Sequence, residues 1–334
     1  MITPTRLSYG VLIATIALAV LLHLGVPLLV LLFSYFALRQ LYFLTKRKWL
    51  ALILFGVVVA GITAAAVYFT RTAILALPDV ADTSIPSASA WAQKRQIELP
   101  FTDFESLRQA VVDTLGQEAQ YLRNVANFAK SAAAAIVFSI LSIVAAGSLF
   151  YKTGLDPYRG THRLKNNLYS ICCDKVSTRF RDFYRSFATV MGAQITISLI
   201  NTALTGIFLV AVRLPHAPLL IAVTFLCGLV PIVGNLASNT VIVFVALTVS
   251  LKLAIVALVF LILIHKLEYL LNSKIIGDRI RNPVWLTLIA LILGERLMGI
   301  PGLILAPVVL NYLRVEMLTV EVPAPSEKVE ALNH

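Results

Sequence analysis

The sequence predicts an all-α fold: a polytopic helical membrane protein with about six full spans and two broken segments that can form re-entrant helical hairpins. Three observations predict this. The 334 residues are 59% hydrophobic and only 13% charged, with a mean hydropathy of +0.85, where a soluble chain carries about 25% charged residues. Apolar runs of bilayer length alternate with short basic connectors. Two apolar stretches near the C-terminal end are interrupted in the middle by Gly and Pro. The net charge of +11 does not point to nucleic acid, because the bases sit in loops beside apolar runs, where topology places them.

The elements follow in order. Helix one covers about 8–23 and turns at His23-Leu24-Gly25-Val26-Pro27; helix two covers about 27–44. Arg6 followed by an apolar run resembles a signal peptide, but no small-x-small cleavage site follows, so a retained helical hairpin is expected. Lys46-Arg47-Lys48 forms a basic knot, and helix three runs about 50–70, ending near Arg71. These elements make an N-terminal unit over residues 1–77. Residues 78–131 differ in kind, with seven acids and five bases. There Thr102 and Glu105 have capping-box spacing. Apolar residues then recur from Phe104 to Phe128 at helical steps, which predicts an extramembrane amphipathic helix.

Residues 132–315 read as a transport core. Helix four covers about 132–150, a basic loop 152–185 with a net charge of +5 follows, and helix five covers about 186–212. The first broken segment, 217–250, is interrupted at Pro231-Ile232-Val233-Gly234-Asn235; a full helix over about 252–271 follows. The second, 283–313, is interrupted over Gly294–Gly302 (GERLMGIPG), leaving pieces of about 11 residues, or roughly 17 Å, against a hydrocarbon core of about 30 Å. The tail, 316–334, reads as disordered. Placing the loops 46–48, 152–185 and 272–282 in the cytoplasm gives both termini inside. The broken segments must then each begin and end on one side. As hairpins they enter from opposite faces, an inverted arrangement; for 217–250 two short spans satisfy the parity equally.

Backbone opened at membrane depth must be buried in protein or line a watery cavity, so the breaks mark the expected pathway. Pro231, Gly234, Gly299, Pro301, Gly302 and Pro307 are backbone devices there. Asn235 and Asn239 share a helix face after the first break, and Gln194 and Asn201 are placed similarly on helix five. Buried amides either join helices or bind a polar solute. His265, Glu268 and Asn272 fall near one face of the 252–271 helix, where a His/Glu pair can relay protons or simply be solvated at a helix end. Glu295 and Arg296 lie in the second break, where either charge costs about 2.5–3.5 kcal/mol at the bilayer centre. They are solute or ion contacts, or a loop tip reaching water. No phosphate loop, HExxH, GxSxG or metal-ligand spacing occurs. The cysteines, Cys172, Cys173 and Cys227, have no disulfide or zinc pattern. No enzyme activity, metal or cofactor is expected.

Three stretches, PIVGN (231–235), LEYLLNSKIIG (267–277) and LMGIPGLILAPVVLNYLRV (297–315), taken in this order resemble the autoinducer-2 exporter family of bacterial membrane transporters. The matching positions are Pro231, Gly234, Glu268, Gly277, Gly299, Gly302 and Pro307. Glu295-Arg296 departs from a stretch that is often glycine-rich and uncharged in that family. The resemblance implies an oligomeric helical transporter of about seven or eight apolar segments, of a family linked to export of a small polar furanone signal. The expected mechanism is alternating access in the inner membrane by a homo-oligomer, with the hairpins moving against a scaffold that includes the N-terminal helices. Other members are linked to sodium or lithium/proton antiport. The expected partners are therefore the lipid bilayer and a small polar solute or a monovalent cation or proton, with no nucleic acid. A membrane scaffold or regulator without transport is the alternative from a different class.

Overall fold

A computed structural model describes residues 4–93, 119–151, 167–231, 233–275 and 283–319, together with Asp156 and Leu164. The described residues form ten α-helices and no strands: α1 (Pro4–Leu21), α2 (Gly25–Thr45), α3 (Lys48–Gln93), α4 (Ala119–Tyr151), α5 (Leu168–Ala211), α6 (Ala217–Gly228), α7 (Val233–Val249), α8 (Leu251–Ile275), α9 (Val284–Met298) and α10 (Ile300–Leu318). Among the described residues five stretches are long and apolar enough to cross a membrane: α2, Lys48–Thr72 of α3, Lys130–Tyr151 of α4, α5 and α10. Large apolar side chains cover the outside of the bundle, among them Ile53, Val57, Leu263 and Ile292. A surface of this kind is matched by lipid.

Helix α5 is the spine. It packs against α1, α2, α6, α8 and α10, and its 44 residues measure about 66 Å at 1.5 Å per residue, twice the hydrocarbon thickness. The expected start at residue 186 is corrected to Leu168. Asn167 caps the helix by accepting the Ser170 N–H at 2.9 Å. The bases Lys175, Arg179, Arg181 and Arg185 therefore ride on a helix rather than a loop. Phe180, Phe183, Tyr184 and Phe187 recur at helical spacing beneath them; Tyr184 and Phe187 are buried, and Tyr35 of α2 packs on Phe180 and Tyr184.

Other boundaries also shift. Helix α3 does not end near Arg71 but continues to Gln93 through Pro78 and Pro86. Each of those prolines removes one backbone donor, at a cost of about 3 kcal/mol in a helix interior. Helix α4 begins at Ala119, before the expected residue 132. The rest of the expected amphipathic helix, Gly277, and the tail beyond Thr319 lie outside the described residues.

Three apolar clusters hold the bundle. Leu38, Ala51, Phe55, Ala146 and Phe150 join α2, α3 and α4. Leu209, Leu220, Ile242, Val245, Ala246, Ala254, Ala257 and Leu261 join α5, α6, α7 and α8. Leu29, Leu32, Tyr184, Phe187, Val190, Met191, Ile304, Leu305 and Val308 join α2, α5 and α10; Val230 and Met298, from the two breaks, pack on its edge.

Candidate functional site

Both interrupted segments are helical hairpins with short turns. In the first, α6 and α7 pack on each other, and Leu220 shares a cluster with Ile242 and Ala246. The turn after Gly228 leaves the last four carbonyls of α6 without the usual intrahelical donors. All four find partners. Leu226 O accepts from Leu229 N at 3.2 Å and Cys227 O from Val230 N at 2.9 Å. Helix α5 supplies the other two: Ser198 Oγ donates to Phe225 O at 2.9 Å, and Gln194 Nε2 donates to Gly228 O at 2.6 Å. The opened backbone is thus clamped by two side chains of the neighbouring helix.

The second break is far tighter than GERLMGIPG suggests. Residues Gly294–Met298 remain helical in α9, and α10 runs on to Leu318, giving arms of 15 and 19 residues rather than about 11. The turn is Gly299 alone, at φ 64° and ψ −141°, a conformation open to glycine and strained for other residues. Pro301 sits in the first turn of α10, where its missing N–H costs little. Gly294 and Gly302 then bring the two arms into backbone contact: a Cβ on either would collide with the carbonyl of the other. The tip also reaches the start of α2, where Gly25 faces Pro301 and Met298. Pro307 lies inside α10, half-buried.

Along one stripe of α5, side chains change character by layer. Tyr184, Phe187 and Met191 are apolar; Gln194, Ser198, Asn201 and Thr205 are polar; Leu209 is apolar again. The polar stretch from Gln194 to Thr205 covers about 17 Å of helix and faces the first break and α8. Asn235, in the first turn of α7, donates from Nδ2 to Glu268 Oε1 of α8 at 2.6 Å. Asn201 lies against the same carboxyl group. His265 Nδ1 is 3.7 Å from Glu268 Oε2, with its ring largely exposed. Glu268 is 8% exposed and is the one charged side chain counted as buried among the described residues; Asn235 is 9% and Asn201 5% exposed. Among the described residues the buried Asn201 Oδ1 and Thr202 Oγ1 have no hydrogen-bond partner, and uncompensated burial of such groups costs about 1–3 kcal/mol each. The layer therefore combines a carboxylate, amides, hydroxyls and one spare acceptor, Asn201 Oδ1, between two apolar clusters. It has the donors and acceptors to hold a small polar solute, a proton or a monovalent cation.

Pro231, Gly234, Asn235, His265 and Glu268 are thus brought together with α5. Asn239 is half-buried one turn beyond Asn235 and makes no hydrogen bond among the described residues. Asn272 is in α8, but its side chain is outside the described residues. Glu295 and Arg296 are not in this layer: they occupy the last turn of α9, 54% and 84% exposed, 4.0 Å apart. Gln194 and Ser198 carry more structural weight than their sequence signal suggested. Their spacing of four on a stripe of amides and hydroxyls was that signal.

A second polar node ties the helix ends. Arg179 of α5 is ion-paired with Glu316 of α10, and both are about 15% exposed or less. Tyr9 of α1 donates to Glu316 Oε1 at 2.7 Å, and the Arg179 guanidinium lies 4.2 Å from the centre of the Tyr9 ring.

The chain is similar to "Putative transport protein YdbI" of Bacillus subtilis (strain 168), 27% identical over 187 residues, which is 55% of this chain and 51% of that relative. The match thus spans about half the length of the relative. The profile described as AI-2E family transporter matches residues 9–319, nearly the whole described bundle with both hairpins, and the chain belongs to that family of multi-pass membrane transporters.

Proposed function

We propose that the protein is a secondary transporter that exports a small polar solute of the autoinducer-2 kind by alternating access. In this reading it sits in the bacterial inner membrane with both termini in the cytoplasm and works as a homo-oligomer. The single observation that carries the reading is the polar layer of Asn201, Asn235 and Glu268, which is buried beside a clamped helix break and flanked by apolar clusters. The opened carbonyls of the break are satisfied by the protein. A buried amide oxygen without a partner, Asn201 Oδ1 among the described residues, is costly at membrane depth unless a polar species uses it. Alternating access would expose the layer to one side and then the other. The hairpins, whose tips carry Val230 and Met298, would move together with the helices that support them against a scaffold that includes the N-terminal helices, and Pro231, Gly234, Gly299 and Gly302 would keep their turns short.

Sodium or lithium/proton antiport is a second reading, favoured by one observation: a buried carboxylate, Glu268, stands in the layer beside Asn201, whose Oδ1 has no partner among the described residues. Flux in proteoliposomes with Glu268→Gln separates the two. Solute export without ion coupling predicts that efflux of a furanone signal persists and that sodium-driven proton movement is absent in both proteins. Antiport predicts that ion-driven proton flux is present in the unmodified protein and lost in Glu268→Gln. If neither solute nor ions move across a panel of substrates, the transport reading fails and the scaffold alternative stands.

A further inference from the structure

We propose that the α2–α3 turn is a docking surface for the headgroups of anionic phospholipids in the leaflet it borders. The turn is at a bilayer edge, because Lys48 opens the Lys48–Thr72 stretch, the most apolar of the candidate spans, with a mean hydropathy of 2.6. Three cations, Lys46, Arg47 and Lys48, are consecutive there. The first Asp or Glu of the sequence is Asp79, and α4, whose end meets the turn, has none. Among the described residues none of the three pairs with a carboxylate.

The geometry makes a bracket rather than a bare run of charge. Lys48 Nζ donates to the Tyr151 carbonyl at 3.1 Å, which fixes the start of α3 to the end of α4. Lys46 takes a left-handed backbone with φ 56° and lies 4.0 Å over the Phe43 ring. Lys46 and Arg47 are exposed. Around them Phe43, Trp49 and Tyr151 are 68%, 56% and 63% exposed. Aromatic rings of this kind settle at the headgroup level, while ammonium and guanidinium groups bind phosphate. Topology alone asks for the charges and for aromatic rings at the interface; it does not ask for a lysine that locks two helix ends beneath them. Each basic residue near an anionic surface raises association about fivefold, so two raise it about 25-fold.

The test uses the full chain with Trp91→Phe and Trp285→Phe, leaving Trp49 as the reporter, in vesicles containing brominated phosphatidylglycerol or brominated phosphatidylcholine. Brominated phosphatidylglycerol should quench Trp49 more strongly at equal mole fraction. The excess should shrink by about an order of magnitude with Lys46→Gln plus Arg47→Gln, and should survive Lys46→Arg plus Arg47→Lys. Raising the salt from low to high should lower it without any substitution. Equal quenching by the two lipids, a preference indifferent to salt, or a preference untouched by the double neutralisation would each overturn the proposal.

Discussion

Replacing Gln194 by leucine and Ser198 by alanine removes both donors that α5 contributes to the first break. The Gly228 carbonyl loses a 2.6 Å partner and the Phe225 carbonyl a 2.9 Å partner. In water such groups would rehydrate; beside hydrocarbon they cannot. Interhelical hydrogen bonds in membranes average only about 0.6 kcal/mol, because the alternative state also finds partners. Here that alternative is specific. An unbroken helix would supply each carbonyl with the N–H four residues on, so the variant penalises the broken form alone. The expected cost is then about 1–1.5 kcal/mol per bond and about 2–3 kcal/mol for the pair, above the membrane average. Two measurements check it: the thermal unfolding midpoint in detergent, and electron-spin distances between labels at residues 219 and 249. The hairpin holds those helix ends side by side, at about 10 Å, whereas a straight helix from 217 to 249 would separate its ends by about 50 Å. The double variant should unfold earlier and gain a long-distance population. An unchanged midpoint together with a single short distance would refute the clamp.

Alanine at Gly302 should wedge the arms of the second hairpin apart, because its Cβ meets the Gly294 carbonyl; overpacking of this kind costs about 1–3 kcal/mol. Gly56→Ala and Gly61→Ala, in α3 with nothing within 4 Å, should be neutral or stabilising, and the contrast is read from the thermal midpoints of the three proteins. Arg179→Gln leaves the nearly buried Glu316 carboxylate with Tyr9 as its hydrogen-bond donor. Loss of a partner at such a site costs about 3 kcal/mol or less given its partial exposure. Faster amide hydrogen exchange over the last turn of α10 would register it, and equal exchange in the two proteins would contradict it.

Much of the fold was legible from local pattern. Apolar runs of bilayer length mark helices wherever the chain must satisfy its own backbone in lipid, and α2, α6, α7 and α8 fall within a few residues of their expected limits. Legibility failed where charge was equated with loop. Of the bases of 168–185, Lys175, Arg181 and Arg185 are exposed on α5 while Arg179 turns in to Glu316, and the aromatic spacing beneath them was the helical signal. It failed again at GERLMGIPG, where a run of breakers suggested a long gap. A single positive-φ glycine makes the whole turn, and the charged pair Glu295-Arg296 stays helical and faces outward.

By itself, the amino-acid order determined that this chain is helical, lives in a bilayer and interrupts two of its helices, since hydropathy, helix periodicity and the Gly/Pro breaks are local properties. Only the tertiary structure decided which polar residues meet. Asn201, Asn235 and Glu268 are 34 and 33 positions apart along the chain, and their encounter depends on α8 running back along α5 while the first hairpin packs against both. Helix spacing names the face a side chain occupies, but packing against a neighbour chooses which faces come together.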